Sequence, residues 1–452
     1  MNSNISQPLP VLGNDEIREI LVKRVDQQKQ AVGIVVGVIE PRGRRVVAYG
    51  NLATGDPRTL DGDTIFEIGS VTKVFTSLLL AEMVNRQEVA LDDPAGKYLP
   101  EAVTLPERSG RPITLHDLST HTSGFPGLPS NIKPKNLRNP YADYSVDDLY
   151  QFLSSYTLPR DPGSEFEYSN LGGGLLGHLL AYRAGMDYES LIRTRITQPL
   201  DMPDTCITLT SSMQQRMATG HTAMLAPTAN WDLPTLAGAG ALRSSANDML
   251  TFLEAFLGYQ ESPLAPAMNA MLDVRRPAGQ AKIGLGWLVL SPDGQEIAWH
   301  NGGTGGFRSF LGYDPKARVG IVVLSNAGGV DDIGFHLLNP KLPLASPEPP
   351  KQHTEIPIDP KLLDHYTGRY QVTPNLIFEI TRDGDRLFAQ GFAQMADQSV
   401  PLPKFELFAE GEKTFFAKVA NNQVTFETGP DGRATSLILN RAGRDMPAPR
   451  LS

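Results

Sequence analysis

From Phe66 to Arg86 the chain reads FEIGSVTKVFTSLLLAEMVNR, and this stretch constrains the fold more than any other. Val74, Phe75, Leu78, Leu79, Leu80, Met83 and Val84 leave a helix of this length almost no polar face. A helix that is apolar all round has to be enclosed by its domain, so the pattern predicts a central, buried helix with the other elements layered around it. The start of the helix carries Ser70-Val71-Thr72-Lys73. Residues three apart share a helical face, and a first turn supplies unpaired backbone N–H groups. A hydroxyl placed there beside an amine is a candidate nucleophile. A serine at a helix start more often serves only as a cap, and Ser-x-x-Lys is short enough to recur by chance. The rest of the chain has to decide between the two.

At 452 residues the chain has room for more than one domain and for a core that needs no staples. Its single cysteine, Cys206, excludes an intramolecular disulfide and a cysteine metal cage, and reads as a small buried apolar residue. The net charge of -9 argues against nucleic acid and anionic membrane as partners. Residues 1–29 show no basic segment followed by an apolar one, and no stretch reaches transmembrane length. The expected location is the cytoplasm, or the periplasm if a leader precedes this sequence.

Residues 15–30 carry a helical pattern, followed by two strands at 32–40 and 45–49. Ser145 with Asp148 three positions on resembles a capping box, and further helices are predicted at 171–184, 188–197 and 245–257. Strands return at 285–290, 296–300, 308–313 and 319–325. Strands at both ends with helices between them predict an α+β unit, an antiparallel sheet built from both ends with a helical subdomain packed against it. Residues 342–360 hold six prolines and read as an extended linker. Beyond it, alternating runs separated by Asp383-Gly384, Asn421-Asn422 and Asp431-Gly432 predict a small all-β barrel. The expected domains are therefore 1–341, a linker at 342–360, and 361–452.

Two further constellations could carry chemistry. Tyr168-Ser169-Asn170 stands before the 171–184 helix; a tyrosine serves as a general base where positive charge stabilises its phenolate, and asparagine offers a donor and an acceptor to an amide. Taken alone, the same residues read as a polar helix entry. His300-Asn301-Gly302-Gly303-Thr304-Gly305-Gly306 closes a strand. Its glycines admit a ligand to the backbone, its edge can pair with a peptide-like substrate, and one of its N–H groups could join that of Ser70 in an oxyanion hole. His116 and His121 stand five apart, on different helical faces, with no carboxylate at zinc-site spacing, and are taken as surface or structural residues. Neither a metal nor a cofactor is expected.

In this order the three motifs resemble those of the penicillin-recognising serine hydrolases related to class C β-lactamases and serine DD-peptidases, which carry Ser-x-x-Lys, Tyr-x-Asn and Lys-Thr-Gly or His-x-Gly. The resemblance covers roughly residues 34–328, including THTSGFP at 120–126. It implies a β-lactamase/transpeptidase-like fold, Ser70 as nucleophile, Lys73 as its proton acceptor or electrostatic partner and Tyr168 as general base. It also implies Asn170 on the substrate amide, His300 polarising Tyr168, and the N–H groups of Ser70 and Gly303 on the oxyanion. The residues after Tyr366 resemble the lipocalin-like domain of some relatives. The implied activity is hydrolysis of amides or esters through an acyl-enzyme, with D-amino-acid peptides or esters expected. β-Lactams or DD-peptides are the alternative, and a non-catalytic penicillin-binding sensor or scaffold is a second. Relatives that grip a free carboxylate present hydroxyls at the positions of Asn301 and Gly303, so free acids are expected to be poorer substrates unless Arg308 or another cation replaces them. The partner is a small molecule or short peptide, and homo-oligomer formation is left open.

Overall fold

Strands from both ends of the first 345 residues meet in one sheet in this computed structural model, which describes residues 11–347, 349, 353–374, 376–395, 398–418, 422–441 and 444–451. Helix α1 (Asn14–Val22) precedes β1 (Gly33–Glu40) and β2 (Gly43–Gly50). The other six strands come from the far end of the unit: β3 (Arg276–Ala278), β4 (Ala281–Ile283), β5 (Leu288–Leu290), β6 (Ile297–Gly303), β7 (Arg308–Asp314) and β8 (Val319–Ser325). They align antiparallel in the order β2-β1-β8-β7-β6-β5-β4-β3. Pairing of β5 with β6 ends at Trp299. The register places His300 opposite Leu311, Asn301 opposite Phe310 and Gly303 opposite Arg308 on β7.

Between β2 and β3 lie α2 (Thr72–Asn85), α3 (Leu115–Ser119), α4 (Val146–Ser155), α5 (Asn170–Ala184), α6 (Tyr188–Ile192), α7 (Ala237–Gly240) and α8 (Ala246–Phe256); α9 (Asp331–Leu338) follows β8. Ser145 caps α4 with the reciprocal Asp148 contact, and Ser245 caps α8. In α2, Val74, Phe75, Leu78, Leu79, Leu80 and Met83 are fully enclosed. Phe75 stacks on Phe252 of α8 with ring centroids 4.3 Å apart. Side chains alternate between the faces of a strand. Tyr313 accordingly meets Trp287 and Phe256 of α8 on one face of β7, and Phe310 meets Phe335 of α9 on the other. Among the described residues no helix is long and apolar enough to cross a membrane.

A second unit is built mainly from Ser346 onward, with the segments Asp26–Gln30 and Thr222–Ala226 clustering with it. Its eight strands, β9 (Gly368–Thr373), β10 (Leu376–Asp383), β11 (Arg386–Met395), β12 (Gln398–Ala409), β13 (Thr414–Ala417), β14 (Asn422–Thr428), β15 (Ala434–Arg441) and β16 (Arg444–Pro449), pair in sequence order. A bridge between Tyr370 and Arg450 nearly closes them into a barrel, around a core that includes Tyr366, Tyr370, Phe415 and Phe426. Asp383-Gly384 and Asp431-Gly432 stand at strand-to-strand turns, their glycines at φ +62° and +80°. The turn expected at Asn421-Asn422 lies partly outside the described residues. The proline-rich stretch carries neither helix nor strand before Pro360 among its described residues. Part of it is nonetheless fastened to the barrel, since the Ile356 N–H donates to the Ala409 carbonyl at 2.8 Å and His353 Nδ1 meets Glu410 at 2.7 Å.

Candidate active site

Ser70 sits in a single 3₁₀ turn, Gly69–Val71, that runs directly into α2. This turn is pressed against β6: a Cβ built on Gly302 would lie 2.0 Å from the Ile68 carbonyl oxygen, and one on Gly69 would lie 2.6 Å from the Gly303 nitrogen. Gly69 also has φ +50°, a region that L side chains rarely occupy. Glycine at these positions brings the Ser70 turn and the backbone of Gly303 together. Ser70, Asn170, Gly303 and Thr304 line a cleft of about 30 Å³ together with Tyr141, Trp231, Leu233 and Leu236.

Lys73 is one helical step below Ser70 and is 3 % exposed. Its Nζ donates to Ser70 Oγ at 3.1 Å, to Asn170 Oδ1 at 2.7 Å and to the Ala239 carbonyl of α7 at 2.7 Å. Among the described residues no carboxylate pairs with it. Burial without a counter-charge disfavours an ammonium, and the amine is brought down to about 7 by that desolvation. Room for its stem comes from Gly173 of α5, where a Cβ would stand 2.9 Å from Lys73 Cε. That helix is entered through Ser169, whose Oγ accepts from the Gly172 N–H at 2.8 Å, and its first residue is Asn170.

The Tyr168 ring has Lys73 Nζ 5.0 Å from its centroid and His121 at 4.4 Å between centroids. Its outer edge is open, at 36 % exposure. Loss of water around the hydroxyl pushes the phenol up to about 12, the Ser70 hydroxyl opposing the shift. A phenol at that value keeps its proton near neutral pH, which corrects the expectation of a phenolate held by positive charge. His300 is corrected on the same ground. It is 1 % exposed, and burial followed by the nearby Lys73 brings it down to about 3, so the ring is neutral and brings no charge to Tyr168. Its Nδ1 lies 2.6 Å from the Asn301 carbonyl, and its Nε2 is buried with no partner among the described residues.

Asn301 is also corrected. It stands opposite Phe310, on the face of the sheet that α9 covers, and its amide donates to Asp331 Oδ2 of that helix at 2.6 Å. The side chain is therefore turned away from the cleft. Gly302 serves the approach of the two backbones, and only Gly303 of the three lines the cleft. Arg308, its partner across β7, is exposed, and its Nη1 donates to the Thr304 and Phe307 carbonyls at 2.7 Å each. Among the described residues no carboxylate comes within ion-pairing distance of it.

Composition gave no sign of the cleft's aromatic wall. Tyr141 and Trp231 meet at 5.2 Å between ring centroids, and the loops carrying them are tied reciprocally through Asn139 and Asp232, by two hydrogen bonds of 2.8 Å. Among the described residues no group of three or more His, Cys, Asp or Glu side chains is placed to hold a metal ion.

A unit of this topology, an antiparallel sheet with helices on both faces and a serine and a lysine opening its central helix beside a sheet strand, defines the class of β-lactamase and transpeptidase-like serine hydrolases. The chain belongs to the β-lactamase family, whose model matches residues 18–335; residues 352–448 match a domain of unknown function, DUF3471. It is 30% identical over 310 residues to the D-alanyl-D-alanine-carboxypeptidase/endopeptidase AmpH of Escherichia coli K12, covering 65% of this chain and 79% of that protein. It is 24% identical over 433 residues to penicillin-binding protein 4* of Bacillus subtilis, covering 89% and 91%. A class C β-lactamase from Rhodobacter sphaeroides superposes with TM-score 0.61 at 26% identity, over 70% of this chain and 94% of that one.

Proposed function

We propose that this serine hydrolase acts on D-amino-acid peptides, amides or esters, forming an acyl-enzyme on Ser70. The observation that carries the reading is Lys73 Nζ 3.1 Å from Ser70 Oγ, an amine held at about 7 by burial, where a general base works best near neutral pH. Lys73 takes the Ser70 proton as Oγ attacks the carbonyl carbon. The Ser70 and Gly303 N–H groups stabilise the oxyanion. The proton then passes to the leaving amine or alkoxide, with the Tyr168 phenol as the donor next to Ser70, and water releases the acyl group by the reverse relay. Asn170 turns its Oδ1 to Lys73, which leaves its amide N–H groups for the substrate carbonyl. The edge of β6 beyond Trp299 suits a substrate backbone.

Intact-mass spectrometry with a fluorophosphonate tests this reading. The wild type gains one adduct and hydrolyses p-nitrophenyl acetate, and Ser70→Ala does neither while keeping its fold. An adduct that persists on Ser70→Ala removes the assignment, and labelling without turnover in the wild type supports a penicillin-binding sensor instead.

A DD-carboxypeptidase reading has one observation in its favour. Arg308 is an exposed cation beside Gly303 with no carboxylate partner among the described residues, and it could take the carboxylate of a free-acid substrate.

A further inference from the structure

We propose that His121 is the positioning residue that holds Tyr168 at the Ser70–Lys73 pair. This inference rests on the reading of Ser70 as nucleophile and concerns a residue that none of the three motifs contains.

His121 accepts from the backbone on both sides of Tyr168. Its carbonyl takes the Glu167 N–H at 2.8 Å and its Nδ1 takes the Ser169 N–H at 3.1 Å. Its ring lies 4.4 Å from that of Tyr168, tilted by 34°, and meets Phe166 edge-on at 5.9 Å. Four consecutive residues, 166–169, thus touch one side chain or its own backbone. The bracketing requires an unusual backbone. His121 has φ +55°, a left-handed conformation uncommon outside glycine and asparagine, and in it the carbonyl and the imidazole both reach the 167–169 segment.

The imidazole is fixed in its role. A ring nitrogen that accepts from a backbone N–H carries no proton, so the ring is the Nε2–H tautomer. The residue is 3 % exposed, and burial, with Lys73 and His300 adding to it, holds the ring well below its ordinary value, so Nδ1 stays an acceptor. His121 is itself anchored from the sheet. The Thr122 N–H donates to the Asp117 carbonyl at 2.9 Å, and the buried Asp117 carboxylate pairs with Arg276 of β3 at 2.8 Å. Tyr168, open on its outer edge, takes its position from His121 and from the amine it serves.

Two substitutions separate positioning from bulk structure, since both residues tolerate a positive φ. His121→Asn puts an amide oxygen where Nδ1 stands, and His121→Gly leaves the Ser169 N–H without a side-chain acceptor. With p-nitrophenyl acetate, His121→Gly is expected to lose on the order of 10²-fold in kcat with KM little changed, the scale of a reacting group misplaced by about 1 Å. His121→Asn is expected to keep kcat within about tenfold of the wild type, because the acceptor is restored. In a Tyr168→Phe background, His121→Gly should cost little more, since residues acting through one group are non-additive. The proposal is overturned if His121→Gly keeps wild-type kcat, if His121→Asn loses as much as His121→Gly, or if the full loss recurs in the Tyr168→Phe background. A wild type that neither labels nor turns over removes the functional reading, and this inference with it. A labelled, active wild type with indifferent His121 variants removes this inference alone.

Discussion

Replacing Asn170 by aspartate tests the claim that burial without a counter-charge is what makes Lys73 a base. The change is isosteric and sets a carboxylate oxygen where Oδ1 now lies, 2.7 Å from Nζ. Asn170 is the first residue of α5, a place where a negative charge is favoured by the helix dipole, so the fold should accept it. With an amine at about 7, about half the enzyme is in the basic form at neutral pH; at the ordinary 10.5 it would be roughly 3 in 10⁴, a difference on the order of 10³-fold. An opposite charge this close favours the ammonium by roughly one to three pH units. A base acts deprotonated, so the rate rises with pH through the folded-state value. The rate of fluorophosphonate labelling should rise to a plateau above about pH 7 in the wild type and above about pH 8 to 10 in Asn170→Asp, with a loss at pH 7 of roughly 10-fold to 10³-fold that high pH recovers. The probe needs no amide grip, so a lost substrate contact does not intrude. An ascending limb that stays in place or moves down would refute the reasoning, as would a deficit that does not shrink between about pH 7 and pH 9.

Gly173→Ala should lower kcat by roughly 10-fold to 10²-fold, because the new methyl stands 2.9 Å from Lys73 Cε and must move the amine; stopped-flow acylation of a wild-type-like fold checks it, and an unchanged rate would show that the stem has slack. Arg308→Ala should lower kcat/KM for a free-acid D-Ala-D-Ala peptide by about 10-fold, one charge-assisted contact, and leave its amide unaffected. Equal losses for both would end the carboxylate-gripping role. Ending the chain at Ala345 retains the sheet, the central helix and each residue assigned to the site. The truncated protein should therefore stay folded by circular dichroism and still label, and its aggregation would contradict the independence of the two units.

The main layers could be read from the sequence because local and global signals agree there. The apolar stretch after Lys73 has one solution, a buried helix, and it is found at Thr72–Asn85. Val319–Ser325 is a strand with the predicted ends, and Ser145 caps as its spacing from Asp148 suggests. Shorter elements were missed. Three residues at Arg276–Ala278 and three at Ala281–Ile283 carry no period to detect, and the 15–30 helix pattern changes at Lys23–Gln27 into a π-turn. Asn301 shows a different limit. Which face a strand residue takes depends on register, and one step of slip reverses it; the sequence places Asn301 beside His300 and Gly302, and only pairing with Phe310 turns it toward α9. His121, taken as surface or structural because its spacing from His116 suits no metal site, meets residues 166–169 only through the fold, more than forty positions along the chain. Its positive φ had no sequence signal.

The site has a consequence for its own titration that the motifs alone do not carry. Acid and base assignments follow from groups whose surroundings push their values apart. Here the three groups around Ser70 separate widely: His300 falls to about 3, Lys73 to about 7 and Tyr168 rises to about 12. A single shared cause, withdrawal of water, moves the two bases down and the phenol up. Only one of the three then titrates near neutrality. Lys73 alone changes state there, while Tyr168 stays a proton donor and His300 a neutral ring, so acylation should show one ascending limb with no descending partner until the phenol itself begins to ionise.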